Sequence, residues 1–180
     1  MLIGCSGYNI TMERAKISNS IFINGFYGVS VSKAKTPSGD KSLSEIIINS
    51  GFEKRIYENF SFNINLTSLN QYQVFENFSD TSNYLRINVG IKNRILNNLS
   101  LKSEVIYDID LNLRPFKPYN QKYFYGILKL IYDYKNFSII TSLNSLSIIY
   151  NKSFVQGGIN IYLRPDYNVP IFNIGFGFIR

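Results

Sequence analysis

The stretch "LSLKSEVIYDIDLNLR", residues 99–114, alternates between apolar and polar side chains along almost its whole length. A period of two residues is typical of a β-strand with one apolar face and one polar face. The apolar face carries Leu99, Leu101, Val105, Tyr107, Ile109, Leu111 and Leu113, and the polar face carries Ser100, Lys102, Glu104, Asp108, Asp110, Asn112 and Arg114. The run is longer than an average soluble strand of about five or six residues, and it is long enough for a tilted membrane strand of about nine to eleven.

The same alternation recurs along the chain. It predicts further strands at residues 21–33, 43–52, 60–67, 84–92, 123–132, 137–150, 155–164 and 170–180, with a weak one at 8–17. Segment 137–150 changes phase near Asn144, which indicates a bulge or a break. Nine convincing strands conflict with the even number that is normal for bacterial single-chain barrels. Either segment 137–150 is two strands, or one assignment is wrong, or the chain is part of a larger barrel.

A short polar turn repeats along the sequence. The motif around Asn59 recurs around Asn98 and Asn136, and each copy leads into a strand of the form N-[FL]-S-[FLI]. Asn favours turns because its side chain bonds nearby backbone, so each copy predicts a tight turn that begins a new strand. No segment has a sustained helical period, and we find no linker. We therefore expect residues 1–19 to have weak or no regular structure and residues 20–180 to form a single β-barrel domain.

Composition excludes several functional classes. Only 17% of the residues are charged, below the roughly 25% of soluble domains. The net charge of +7 is not clustered, so we expect no nucleic-acid partner. The chain has one cysteine and no histidine, which removes disulfides, the commonest zinc ligands and the Ser–His–Asp triad. We expect no catalytic residue, no metal site and no cofactor.

The last predicted strand, "PIFNIGFGFIR" at residues 170–180, has one face of bulky residues and one of Asn173, Gly175 and Gly177. With the hairpin rhythm and the repeated strand starts, it resembles the closing strand of bacterial outer-membrane β-barrel proteins. The resemblance implies an antiparallel transmembrane β-barrel of about 8–10 strands in the bacterial outer membrane, with outer-membrane lipid as its surroundings. It also implies that Asn173, Gly175 and Phe178 are an assembly signal for the barrel-assembly machinery. Arg180 departs from the aromatic residue that usually ends such chains.

Two architectures fit alternating strands, because a soluble sandwich turns its apolar face inward and a membrane barrel turns it outward. Aromatic residues near the strand ends favour the membrane barrel, since they are typical of the two membrane interfaces. They are Tyr57, Phe60, Tyr84, Tyr107, Tyr123, Tyr132, Tyr134 and Phe137.

A membrane barrel places the polar face in its lumen, where charges of both signs are expected to pair. The predicted lumen charge network consists of Arg86, Lys102, Glu104, Asp108, Asp110, Arg114 and Lys129. Asp108 and Asp110 could also be read as a general acid and base, but ion pairing with Arg86, Lys102 or Arg114 accounts for them better.

The tetrapeptide Leu2-Ile3-Gly4-Cys5 resembles a bacterial lipobox, in which the cysteine is lipidated. Such a site needs a basic and then an apolar segment before it, and only four residues precede Cys5. The tetrapeptide is therefore either a chance match or the sign of a longer precursor.

Three functions remain open on the sequence alone. The leading one is an outer-membrane barrel with a structural or interaction role that presents surface loops. The second is a small, porin-like channel or a barrel component of polysaccharide or cell-envelope export. The third is a soluble, secreted β-domain that binds a ligand.

Overall fold

The computed structural model describes residues 12–30, 34–36, 39–74, 79–111, 122–163 and 170–180, which form strands and turns and no helix. The strands are β1 (Ser20–Ser30), β2 (Ala34–Thr36), β3 (Gly39–Tyr57), β4 (Phe60–Val74), β5 (Ser79–Leu96), β6 (Leu99–Asp110), β7 (Lys122–Tyr134), β8 (Phe137–Thr141), β9 (Ser145–Lys152), β10 (Val155–Leu163) and β11 (Pro170–Ile179). No helix in these described residues could cross a membrane.

The sheet closes on itself. Each strand from β3 to β10 pairs antiparallel with the next strand along the chain. Strand β1 pairs with both β3 and β11, while β2 pairs only with the first residues of β3. The result is a closed 10-strand antiparallel barrel. Closure leaves no open sheet edge, which is the condition for a sheet to lie within lipid.

The strand count is even because the predicted segment 137–150 is two strands, with a break at residues 142–144 between β8 and β9. The first of the three alternatives is therefore right. The weak strand predicted at 8–17 is wrong for residues 12–17, which form no strand, and residues 8–11 lie outside the described part. Residues 12–17 do not pair with a strand because their backbone groups bond to side chains of the barrel wall instead.

Four two-residue turns lie at one end of the barrel, at residues 58–59, 97–98, 135–136 and 153–154. The carbonyls of Asn59, Asn98 and Asn136 each accept a backbone N–H bond from the next hairpin, at 2.8, 2.8 and 2.7 Å. These bonds continue the sheet pairing into the turns, which accounts for the repeat. The start of β1 and the end of β11 lie at this same end, which we call the turn end.

The apolar faces of the strands point outward. On β5, Val89 and Ile91 are exposed and their neighbours Arg86, Asn88 and Lys92 are buried in the lumen. Strand β6 continues the pattern from Leu99 to Tyr107, except that Ser103 lies outside and Ile106 inside. The predicted orientation is confirmed. The predicted position of one aromatic residue was wrong, because Tyr84 packs against apolar residues of the lumen and not at the outer surface.

The closing strand shows what its small face is for. Asn173, Gly175 and Gly177 pair with β1 across Gly28, Phe26 and Asn24. A Cβ atom on Gly175 would lie 2.3 Å from the Phe26 ring, and one on Gly177 would lie 2.4 Å from Cβ of Asn24. Glycine therefore lets inward-pointing side chains of β1 lie flat against β11.

Candidate functional site: the charged lumen and the inner segment

Residues 12–18, here called the inner segment, lie inside the barrel near the turn end. Met12, Ala15 and Ile17 are buried, and Met12 and Ala15 belong to the apolar cluster of the lumen. The segment precedes β1 directly, so the chain turns from the lumen into the wall at Ser20.

Wall side chains hold the backbone of the inner segment. Lys92 Nζ donates to the carbonyls of Arg14 and Lys16, at 3.0 and 3.3 Å. The N–H of Ala15 donates to Asp133 Oδ2 at 3.0 Å, and the N–H of Ser18 donates to Glu53 Oε1 at 3.2 Å. These bonds satisfy backbone groups that would otherwise be buried without partners, at a cost of about 1–3 kcal/mol each.

Glu13 completes a cluster of four charges, with two lysines and two glutamates. Its carboxylate bridges Lys102 Nζ at 2.8 Å and Lys129 Nζ at 3.3 Å. From the wall, Glu104 bridges the same two ammonium groups, at 2.8 Å each. Each lysine therefore contacts two carboxylates, and each carboxylate contacts two lysines, with every side chain buried.

The cluster keeps Glu13 ionised. Burial alone would raise the pKa of the Glu13 carboxyl, but the attraction of Lys102, Lys129 and Lys92 outweighs it and holds that pKa well below its usual range. A carboxylate in this state is an ion-pair partner and not a general acid.

Two further ion pairs line the lumen. Arg86 donates Nε and Nη2 to the two carboxylate oxygens of Asp108, at 2.6 and 2.8 Å, and Tyr125 donates to the same carboxylate at 3.0 Å. Lys92 Nζ pairs with Glu53 at 2.5 Å. The two bonds between Arg86 and Asp108 are bidentate, which is the strong form of an Arg–carboxylate pair.

The structure places the predicted network residues as follows. Arg86, Lys102, Glu104, Asp108 and Lys129 are all buried in the lumen. They fall into two groups, because Arg86 pairs with Asp108, whereas Lys102 and Lys129 are bridged by both Glu104 and Glu13. Asp110 lies at the end of β6 opposite Tyr84 and is only partly buried. Arg114 lies outside the described residues.

The charged residues of the site that were not predicted include Lys92, Glu53 and Glu13. Lys92 and Glu53 lie on the inner faces of β5 and β3, and the alternation that pointed to Arg86 already placed Lys92 on the polar face. Glu13 has no comparable signal, since the alternation is weak in residues 8–17 and Glu13 meets its partners only through the closed fold.

Polar side chains fill the lumen further from the turn end. Tyr162 donates to Glu45 at 2.9 Å, Gln71 donates to the same carboxylate at 3.1 Å, and Asn49 bonds both Asn24 and Thr67. Beside the inner segment there remains a cavity of about 20 Å³. That space is enough for about one water molecule.

The residues of the predicted assembly signal alternate across the wall. Asn173 and Gly175 face the lumen, and Phe178 is exposed on the outside. Cys5 lies outside the described residues. Within the described ranges, no group of three acidic, histidine or cysteine side chains could hold a metal ion.

A closed antiparallel barrel with an apolar exterior and a polar interior has the architecture of the outer-membrane β-barrels. Solved structures of outer-membrane barrels are similar to this chain. The translocator domain of the autotransporter NalP from Neisseria meningitidis matches with a TM-score of 0.53 at 7% identity, over 96% of this chain and 89% of that one. The KdgM porin matches at 0.48 and 8% identity, over 87% and 98% of the two chains. The NanC porin matches at 0.42 and 8% identity, over 88% and 98%.

No protein-family model matches the sequence, and the search of curated proteins finds no significant match. The fold is that of the outer-membrane β-barrels.

Proposed function

We propose that this protein is a closed β-barrel of the bacterial outer membrane that serves as a membrane anchor and presents the loops opposite the turn end. These loops follow β1, β4, β6, β8 and β10, and each of them is longer than the two-residue turns at the other end. On this proposal outer-membrane lipid surrounds the barrel, and the barrel-assembly machinery reads Asn173, Gly175 and Phe178.

The observation that carries the proposal is the exposed apolar surface. Large side chains point outward from all ten strands of the ring, and among them Ile21, Phe124 and Phe176 are 70%, 76% and 73% exposed. Soluble monomers rarely expose a contiguous apolar patch beyond a few hundred Å². A surface of this kind is stable in lipid and would aggregate in water, which supports the barrel over the secreted domain.

The filled lumen favours an anchor over an open porin. Ion pairs, polar side chains and the inner segment occupy the interior near the turn end and leave only about 20 Å³ beside the segment. An aqueous channel needs a wider barrel or an empty lumen.

We also propose that the protein is not an enzyme. The sequence has no histidine, the side chain that titrates near neutral pH without perturbation. The buried carboxylate of Asp108, the candidate acid, is bound to Arg86 and Tyr125. Both oxygens of this carboxylate therefore accept hydrogen bonds from neighbouring wall residues.

The test compares two lysine substitutions in protein folded into lipid vesicles. Val89→Lys puts a charge in the middle of the outward face of β5, and Asn97→Lys puts one at an exposed turn. In lipid, Val89→Lys should lower the unfolding free energy by about 2–4 kcal/mol, and Asn97→Lys should change it by less than about 1. Equal tolerance at both sites would contradict the membrane barrel.

A bilayer recording separates anchor from channel. Wild-type protein that inserts, as shown by protease protection, should give no steady ion conductance. A stable open conductance of the wild type would favour the channel function instead.

A further inference from the structure

The lumen cluster contains a carboxylate that does not belong to the wall. Glu104 is on β6, which pairs with a strand on each side, whereas Glu13 is on the inner segment, which pairs with none. The two carboxylates bridge the same two ammonium groups. Glu13 therefore stands where a separate anion would bind.

We propose that Lys102 and Lys129 form an anion-binding site of the lumen, which the Glu13 carboxylate occupies as an intramolecular ligand and which a carboxylate or phosphate occupies when Glu13 leaves. The proposal rests on the proposed closed barrel, and it adds a ligand class to it.

Charge balance is the first argument. With Glu13 in place, two lysines face two glutamates, all of them buried. Without Glu13, the two buried ammonium groups lose one of the two carboxylates that bridge them. An uncompensated buried charge is strongly unfavourable, so the emptied site attracts an anion from solution. Lys92 is a third ammonium group close by, since it holds the segment on either side of Ala15, but its charge is already paired with Glu53.

The way in which the segment is held is the second argument. Its described hydrogen bonds run to single side chains of the wall, namely Lys92, Asp133, Ser100 and Glu53. A strand of the barrel is instead held by a ladder along its length on both sides. The inner segment can therefore leave without opening the barrel, while Glu104 cannot.

Geometry sets the ligand class. The Glu13 oxygens reach the two ammonium groups at 2.8 and 3.3 Å, so the site accepts a group with two oxygens on one centre. Carboxylates and phosphates have this arrangement, and the ammonium groups supply donors only. The site does not suit a cation or a neutral sugar.

The first experiment measures binding of inorganic phosphate in detergent. In Glu13→Gln the unfolding temperature should rise with phosphate concentration and level off as the site fills. Glu13→Asp, which keeps the carboxylate, should show a much smaller rise. Glu13→Gln with Lys129→Gln should lose the saturable rise and so corrects for the general salt effect of phosphate. Glu13→Gln without a saturable rise would overturn the proposal.

The second experiment measures ion selectivity in planar bilayers. Glu13→Gln should give openings with a chloride-to-potassium permeability ratio above one, and the added Lys129→Gln should bring that ratio towards one. If Glu13→Gln opens without a preference for anions, or inserts and shows no openings, the result would count against the site. Failure of the wild type itself to insert would instead refute the closed membrane barrel.

If Glu13→Gln does not fold, the wild type provides the test. Cys5 is the single cysteine, so a spin label on it reports on the N-terminal region alone. Phosphate should change the mobility of that label in a saturable way in the wild type and not in Lys129→Gln. An identical response of the two proteins would overturn the proposal.

Discussion

The two sides of the lumen exclude water by different means. On the side formed by β5, β6 and β7, the inward residues include Arg86, Lys102, Glu104, Asp108 and Lys129, which pair with one another or with Glu13. On the side formed by β8 to β11, which we call the apolar side for its buried Ile140, Ile149 and Ile171, none of the described inward residues is charged. The charged side depends on partners supplied from elsewhere in the chain, whereas the apolar side depends on shape. Different kinds of substitution should therefore destabilise the two sides.

The largest effect is expected on the charged side, from Lys102→Met. It leaves Glu13 and Glu104 buried with Lys129 as their remaining shared cation. Removing one member of a buried ion pair costs about 3–5 kcal/mol, which should appear in urea unfolding of the protein in lipid. Lys152→Met, at an exposed turn-end position, is the matched control and should be nearly neutral. Equal small losses would show that the cluster is not stabilising.

The apolar side should respond to volume. Ile149→Ala removes a side chain that is 0% exposed, and the resulting cavity should cost about 2–5 kcal/mol. Ile148→Ala, one residue earlier and 40% exposed on the outer face, leaves no internal cavity and should cost clearly less. Thermal unfolding of the two variants side by side measures the difference. A larger loss of stability in Ile148→Ala than in Ile149→Ala would show that the two residues had been assigned to the wrong faces.

Two adjacent glycines sharpen the same comparison. A Cβ atom at position 158 would lie 2.5 Å from Cδ1 of Ile149 and 2.8 Å from the carbonyl oxygen of Ile148, whereas at position 157 the nearest atom would be 3.7 Å away. Gly158→Ala should therefore destabilise by about 1–3 kcal/mol through overpacking, and Gly157→Ala should be nearly neutral. The refolding yield and melting temperature of both variants provide the measurement, and equal behaviour would show that the apolar side is loosely packed.

The smallest expected effect is a lack of response to mild acid. The pKa of Glu13 is lowered in the fold, so its stabilising contribution is complete above its unfolded value of about 4.3 and is lost only as pH falls through the lower folded value. The difference in unfolding free energy between wild type and Glu13→Gln should then be constant from about pH 7 to about pH 5. A steady decline over that range would contradict the ion-paired state of Glu13.

The same contrast explains what the sequence predicts well. On β5 and β6 the alternation placed Arg86, Lys102 and Glu104 on the inner face, because the opposite face of each strand is apolar and faces lipid in a membrane barrel. On β8 and β9 both faces carry Ile, so periodicity could not assign Ile140 and Ile149 or separate the two strands cleanly. The inner segment was missed as part of the site, since its contacts link residues far apart in sequence and follow no local period.

The central claim is that the inner segment lies inside the barrel and closes it. In a Cys5→Ser background, Ala15→Cys and Lys16→Cys place a thiol at a buried and at an exposed neighbouring position. A bulky, water-soluble maleimide should label residue 16 rapidly and residue 15 at least about tenfold more slowly in the folded protein in lipid. Both should label at one rate after unfolding in urea. Equal rapid labelling of both thiols in the folded protein would contradict a segment held inside the lumen.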